Sequence, residues 1–458
     1  MKMVFTLTIL TFIGVLGEVI GADWAIRAGG EGQDKIRGMV VAPDGSIFVT
    51  GEFGHPGGDF GSFQKESAGS LDFVIAKISA DGEFLWVSTA GGPKIDRGYA
   101  VCLADDGGCY VTGHFESESI LFGDVELKSA GDYDSFVAKY DAFGKCVWAK
   151  RQGGGGYDYG HGIAADTKGG CVVSGSFATT GTFGKSTFEH SKGRRAFLFR
   201  MSADGDMKWA REAGTADDAA AGTMSGHNLC TDRKGFIYMG GFQRGGAVFG
   251  KGVSIPAHKI QDIFVAKYSG DGKALWALDA GGESDGLATG LAPDEKGGCY
   301  ITGMFKGTIR MVDADLTSSG LHDFYVAAIN EDGKPKWVYS GGGEKTDYGL
   351  SIAADGTGGC LVTGEITEKA TFRGKTSTST KAAIGEKDSY ILHYSRDGML
   401  VSSNLFGGTD YDLSYAIGAG RDGEAFVAGA FRNETEIIGT KLTSKKGNDI
   451  FIARIAGK

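Results

Sequence analysis

Six tryptophans recur along the chain at a nearly fixed interval. Trp24, Trp86, Trp148, Trp209, Trp276 and Trp337 are separated by 62, 62, 61, 67 and 61 residues, and Ser402 fills the next equivalent place 65 residues on. Self-similarity at a fixed period means one supersecondary unit copied and stacked. Each copy reads in the same order. A Gly-Gly pair follows the Trp, as at Gly29-Gly30 or Gly342-Gly343, and then comes an Asp. A strand of small residues such as GIAAD leads into a second strand ending T-G-x-F, as in VTGHF at 111–115. A longer loop carrying Phe-Gly precedes a third strand resembling DSFVAKY at 134–140, and an Asp-Gly turn leads back to the Trp strand. The β-branched and aromatic alternation suits a pleated surface, and Asp-Gly supplies positive φ for hairpins.

Four short strands per copy, repeated around an axis, predict an all-β fold: a seven-bladed β-propeller with four antiparallel strands per blade. A solenoid would need atypical capping units. Here the ends are complementary instead. The last copy stops after its third strand, at Phe451-Ile452-Ala453-Arg454-Ile455, and Asp23-Trp24-Ala25-Ile26 reads as the missing fourth. Pairing the two would remove an exposed sheet edge. The expected blades are about 31–92, 93–154, 155–214, 215–282, 283–343, 344–408, and 409–458 completed by 23–30.

Composition fits this plan. Glycine makes up 79 of 458 residues and proline only 6, which excludes collagen; each interior glycine would cost a helix about 1 kcal/mol relative to alanine. A net charge of −10 without a Lys/Arg stripe gives no footprint for nucleic acid. Lys2, the apolar run Val4–Leu16 and the exit Gly21-Ala22 read as a signal peptide over residues 1–22. The expected mature protein is therefore exported to the periplasm, cell surface or medium, has no membrane span and is monomeric. Seven cysteines leave at least one unpaired; four share the context GGC, at Cys109, Cys171, Cys299 and Cys360, and none forms CxxC. Small buried strand residues are expected rather than a disulfide framework or a zinc site.

Counting across a two-residue turn places Lys77 opposite Trp86, Lys139 opposite Trp148, Arg200 opposite Trp209 and Lys267 opposite Trp276. Ala328 faces Trp337, His393 faces Ser402, and Arg454 would face Trp24 across the chain ends. The expectation is a cation over each indole, worth roughly 0.5–2 kcal/mol.

The elements W-x-x-x-x-G-G, A-x-D-x-x-G, V-T-G-x-F, F-G, D-x-F-V-A-K-Y and D-G-x-x-x-W together resemble the SBBP-type β-propeller repeat of secreted and cell-surface bacterial proteins. The resemblance spans nearly all of residues 23–458. It implies a non-enzymatic binding or scaffold module and carries no catalytic residues across. The fourth copy departs most, with Asp217-Asp218 in its leading loop and Met239-Gly240-Gly241-Phe242 for T-G-x-F. The third carries Arg195 where the others have Asp. Ser79, Asp81 and Trp86 keep the spacing of a sialidase Asp-box with its glycine one residue early, but that box is a structural turn in sialidases too.

Two series of acids fall on the loop face, where the fourth-to-first and second-to-third connections meet. One is Asp34, Asp96, Asp158, Asp285, Asp347 and Asp410; the other is Asp72, Asp134, Asp262, Asp323, Asp388 and Asp449. Either they form an electronegative mouth able to hold calcium, or each caps backbone N–H groups in its own loop, the reading that seven-fold repetition favours. No other cofactor is expected. The variable residue of T-G-x-F runs Glu52, His114, Ser176, Gly241, Met304, Glu365 and Ala430; Glu52, His114 and Glu365 would stand near the mouth as solvated strand ends. His161 and His227 belong to innermost strands as hydrogen-bonded channel residues. A protein or glycan ligand bound by the loop face is the leading expectation. A carbohydrate-active enzyme of sialidase or lyase type, using Glu52 and Glu365, is the alternative.

Overall fold

The computed structural model describes residues 23–456 except 216–221, 259 and 283–284. The expected signal peptide and the pair Asp217-Asp218 lie outside the described residues. Among those described there is no α-helix, only one 3-10 turn at Arg421–Gly423, and no helix long and apolar enough to cross a membrane. The chain is all-β, with the repeat character of a propeller.

In each of the first six copies four successive main strands pair antiparallel. In the first these are Lys35–Val41, Ile47–Gly54, Leu71–Ile78 and Phe84–Ala90. The first strands of the later copies are Asp96–Leu103, Tyr159–Ala165, Thr223–Thr231, Gly286–Pro293, Tyr348–Ala354 and Asp412–Ala419. Each lies against the next, and Asp412–Ala419 lies against Lys35–Val41. The strand Trp24–Gly30 pairs antiparallel with Thr440–Ile455, with Trp24 opposite Arg454 and Ala28 opposite Ile450. Second and third strands are buried almost throughout, as in CYVTGHF and DSFVAKY, and their side chains fill the apolar space between neighbouring sheets. All seven cysteines are free, six of them buried.

Hairpin registers place Lys77 opposite Trp86, Lys139 opposite Trp148, Arg200 opposite Trp209 and Lys267 opposite Trp276. The expected cation over each of these indoles is not what forms. Lys77 lies over Phe48, Lys139 over Tyr110, and Lys267 over Phe236 and Tyr238, while Arg200 pairs with Asp166 and Arg454 with Glu424. The cations turn inward because the indoles turn to the adjacent sheet.

There each indole N–H donates to a carbonyl in the next copy's third-to-fourth turn. Trp24 reaches Ala80 (2.8 Å), Trp86 Ala142 (3.0 Å), Trp148 Ala203 (2.9 Å), Trp209 Gly270 (3.2 Å), Trp276 Glu331 (2.9 Å) and Trp337 Arg396 (2.9 Å). The turn glycine lies flat on the ring. At Gly144, with φ +84°, an added Cβ would stand 2.6 Å from the Trp86 indole. The exception at Ser402 follows from the same geometry. The sheet it faces is built from Thr440–Ile455 and Trp24–Gly30, so no hairpin connects its third and fourth strands. An indole at 402 would find neither turn carbonyl nor turn glycine.

Candidate functional site: the axial cavity

The first strands converge on an axial cavity of about 510 Å³. All seven carry an irregularity at the same place, one extra residue against the second strand. The inserted residues are Arg37, Tyr99, His161, His227, Thr289, Leu350 and Tyr415. A β-bulge re-aims the extra side chain, and every one of these seven lines the cavity. Glycine on the second strand permits the close approach. An added Cβ at Gly113 would lie 1.9 Å from the Arg97 carbonyl oxygen, and one at Gly364 would lie 1.8 Å from that of Tyr348.

The lining is uneven. Two residues beyond each bulge an apolar side chain follows, Met39, Val101, Ile163, Leu229, Leu291, Ile352 and Ile417, so this ring runs all the way round, and Leu287 and Leu350 add to it in the fifth and sixth copies. One side is also aromatic and cationic. His161 stacks on His227 (4.5 Å between centroids, 10° between planes) and on Tyr159 (5.5 Å, 8°), with Tyr99 edge-on at 5.1 Å. Burial and the neighbouring His227 push His161 well down, and burial beside Arg194 lowers His227 to about 4. Both rings are neutral at pH 7 and offer hydrogen bonds rather than charge. Arg37 donates to both oxygens of Glu52 (2.6 and 2.8 Å) and lies over Tyr99 (5.1 Å). Arg97 Nε sits 3.7 Å from the same carboxylate with no hydrogen bond of its own. Lys35 lies over Tyr415 (5.2 Å) and Arg194 over Tyr159 (4.9 Å). Burial, with Arg37 beside it, lowers the Lys35 ammonium. Lys35, Arg37 and Arg97 therefore gather about one carboxylate, Glu52, among the described residues, which leaves this rim electropositive.

Residues proposed from sequence fall out differently. Glu52, His114 and Glu365 are buried, not solvated strand ends. Each sits one register step inside the sheet, opposite Lys35, Arg97 and Tyr348. Glu365 accepts from Lys387. His114 packs among Tyr99, Tyr133 and Tyr159, and burial lowers it to about 3.

The acid series does not make an electronegative mouth. Asp34 accepts from the Gly30 and Gly54 amides (2.7 and 2.8 Å), and Asp347 from those of Gly343 and Thr367 (2.7 and 2.9 Å). Asp96 takes Gly92, Glu116 and Ser117, and Asp158 takes Gly154 and Ala178. All four are fully buried, tying a strand start to the end of the next strand. Asp410 and Asp285 do not belong with them. Asp412 fills the seventh copy's position, accepting from Gly408 (2.7 Å), because the bond runs from the second glycine to the residue four later. Asp410 instead accepts from Asn433 on the rim (2.7 Å). In the fifth copy the corresponding residue is Gly286, and Asp285 is exposed. The second series is also committed to backbone: Asp72 accepts from Ala68, Asp134 from Ala130, Asp262 from Gly282, Asp323 from Ser319, Asp388 from Ile384 and Asp449 from Lys445.

Desolvation outweighs those N–H bonds. It pushes Asp34, Asp72 and Asp412 up to about 6, and Asp158 and Asp347 up to about 7. A carboxyl with a raised folded-state value binds protons more tightly folded than unfolded, so its contribution is complete below the unfolded value near 4 and is lost as pH rises through 6–7. Melting at pH 5 is expected to lie above that at pH 8, by roughly 5 °C. A flat or inverted profile would remove the desolvation account.

No protein-family model matches the chain. It is 20% identical over 445 residues to an uncharacterized WD repeat-containing protein of Acanthamoeba polyphaga mimivirus, covering 77% of this chain but 32% of that protein. The chain thus spans about a third of the relative's length. Among solved structures it is similar to a Bacteroides caccae protein of unknown function (TM-score 0.32, 10% identity, 70% of this chain and 94% of that one). It is also similar to the Vibrio cholerae biofilm matrix protein Bap1 (TM-score 0.22, 9% identity, 94% and 87%). TM-scores this low carry no argument about function.

Proposed function

We propose that the chain is an exported seven-bladed β-propeller, closed by the strand Trp24–Gly30, that serves as a binding or scaffold module. Its ligand is an anionic glycan or protein segment held at the axial mouth. The observation that carries this reading is the bulge ring. A repeat that is otherwise uniform presents five kinds of side chain at seven positions on one level of the cavity, and those beside Lys35, Arg97 and Arg194 are cationic or aromatic. Positions that vary within a fixed frame are where specificity resides. Glycoside hydrolysis is less well supported, because Glu52 and Glu365 are each ion-paired, to Arg37 and Lys387. Each carboxyl is thereby engaged by a neighbouring side chain rather than free to meet a glycosidic oxygen.

The test is a screen of the purified protein against glycan arrays that include acidic members, together with chromogenic glycosides. Acidic ligands are expected to bind, and Arg97→Gln to weaken them about tenfold or more, the worth of one charged hydrogen bond. Turnover of any glycoside, abolished by Glu52→Gln or Glu365→Gln, would overturn the proposal in favour of an enzyme.

A further inference from the structure

The fourth copy carries a charge combination seen in no other copy among the described residues. In the second and seventh copies the Asp that begins the third strand pairs with a basic residue on the fourth strand. Asp134 pairs with Arg151 (2.7 Å), and Asp449 with Arg27. The third copy inverts the signs and keeps the balance, with Arg195 against Glu212 (3.1 Å). That inversion accounts for the Arg that interrupts the Asp series. In three further copies the facing residue is uncharged: Thr89, Ser340 and Leu405 stand where Arg151 does. Only the fourth copy, among the described residues, sets two carboxylates together. Asp279 occupies the Arg151 position, opposite Phe264, beside Asp262.

A third donor reaches this pair from the loop between second and third strands. His258 Nε2 lies 2.9 Å from Asp279 Oδ2, and one ligand atom from each of His258, Asp262 and Asp279 falls within 4.8 Å of the others. Asp279 Oδ1 is buried with no hydrogen-bond partner. Asp262 is held in place by the Gly282 amide and the Gln243 side chain (both 3.3 Å).

We propose that His258, Asp262 and Asp279 form a binding site for one divalent first-row transition metal ion, such as zinc. The ion supplies the positive charge that Arg151 and Arg27 supply in other copies. One imidazole nitrogen and two carboxylate oxygens are a donor set these ions take readily, whereas calcium and magnesium select oxygen. Three protein ligands leave a coordination position for water or for a ligand's donor atom. The partly exposed His258 opens the site towards the surface, and none of the three residues lines the axial cavity.

Titration of the untagged, chelator-treated chain with zinc, followed by calorimetry and by melting, tests the proposal. One zinc per chain is expected, with a rise in Tm that grows with free zinc and that calcium does not reproduce. Asp279→Arg installs the residue of the second copy. It should abolish the zinc response while keeping or raising the Tm of the metal-free protein, so loss of binding is separated from loss of fold. His258→Gln should weaken binding with the fold intact. The seven cysteines remain in both variants, so zinc held by thiols would persist and be recognised. Absence of saturable zinc binding in the parent, or equal binding by Asp279→Arg, would overturn the site.

Discussion

Deletion of residues 23–30 is expected to abolish the cooperative melting transition of this protein, or to lower Tm by more than about 10 °C. The segment supplies an entire fourth strand. It pairs with Thr440–Ile455 from Trp24 to Ala28, buries Ala28 completely, and continues through Gly29 and Gly30 onto the hairpin at Gly57–Phe60. Arg27 bridges Asp449 and Asp59, and the Trp24 indole reaches the Ala80 carbonyl of the first copy. Without it, Ile450–Ile452 becomes the open edge of a buried hydrophobic sheet, which invites aggregation. Trp24→Ala removes the indole alone and should cost about 3 kcal/mol. Moving the segment to the other end of the chain should restore stability, because the Ala456 amide already donates to Asp23 (2.6 Å). Thermal unfolding of the three variants decides the matter. If the deletion melts like the parent, the strand is not part of the fold.

Gly51→Ala is expected to destabilise the protein by about 3 kcal/mol or more, although it adds a single methyl group. Gly51 has ordinary strand φ, so the cost is purely steric. Its new Cβ would stand 2.0 Å from the Lys35 carbonyl oxygen and 2.9 Å from the Ile36 Cα. Backbone cannot yield as a side-chain tip would, and shifting the first strand would displace the Arg37 bulge from the cavity wall. Gly113, Gly175, Gly241, Gly303, Gly364 and Gly429 stand in the same relation to their own first strands, at 1.8–1.9 Å. Gly155 is the control, since an added Cβ there meets nothing within 4 Å and its φ is unexceptional. Gly155→Ala should be neutral or gain up to about 1 kcal/mol through the unfolded chain. Equal melting temperatures for Gly51→Ala and Gly155→Ala would show that the first strand has slack the geometry denies.

Much of this was legible in advance, because a repeat displays its constraints several times over. The tryptophan interval, Asp-Gly turns and T-G-x-F located the strands, and counting across a two-residue turn placed Lys77 opposite Trp86. Reading the partner of each cation failed, since register fixes which residues are adjacent but not where a long side chain turns. Asp410 and Asp412 are indistinguishable in the sequence for a related reason. Two acids lie two residues apart in GGTDYDLS, and only the span from Gly408 decides which one closes the loop. The bulge ring left a trace in the sequence: one unrelated residue inside an otherwise small-residue strand, as Tyr99 in RGYAV and His161 in GHGIA.

By itself the sequence determined the all-β character, the strand order within each copy and the glycine and aspartate positions that shape the turns. These depend on contacts within one copy, where separation along the chain implies separation in space. Only the tertiary structure decided what the copies do to one another. It sent each indole into the next copy's turn. It also gathered the seven bulged residues around one cavity. Those outcomes depend on residues dozens or hundreds of positions apart meeting at fixed distances. That information lies in how the sheets pack around the axis rather than in any one copy.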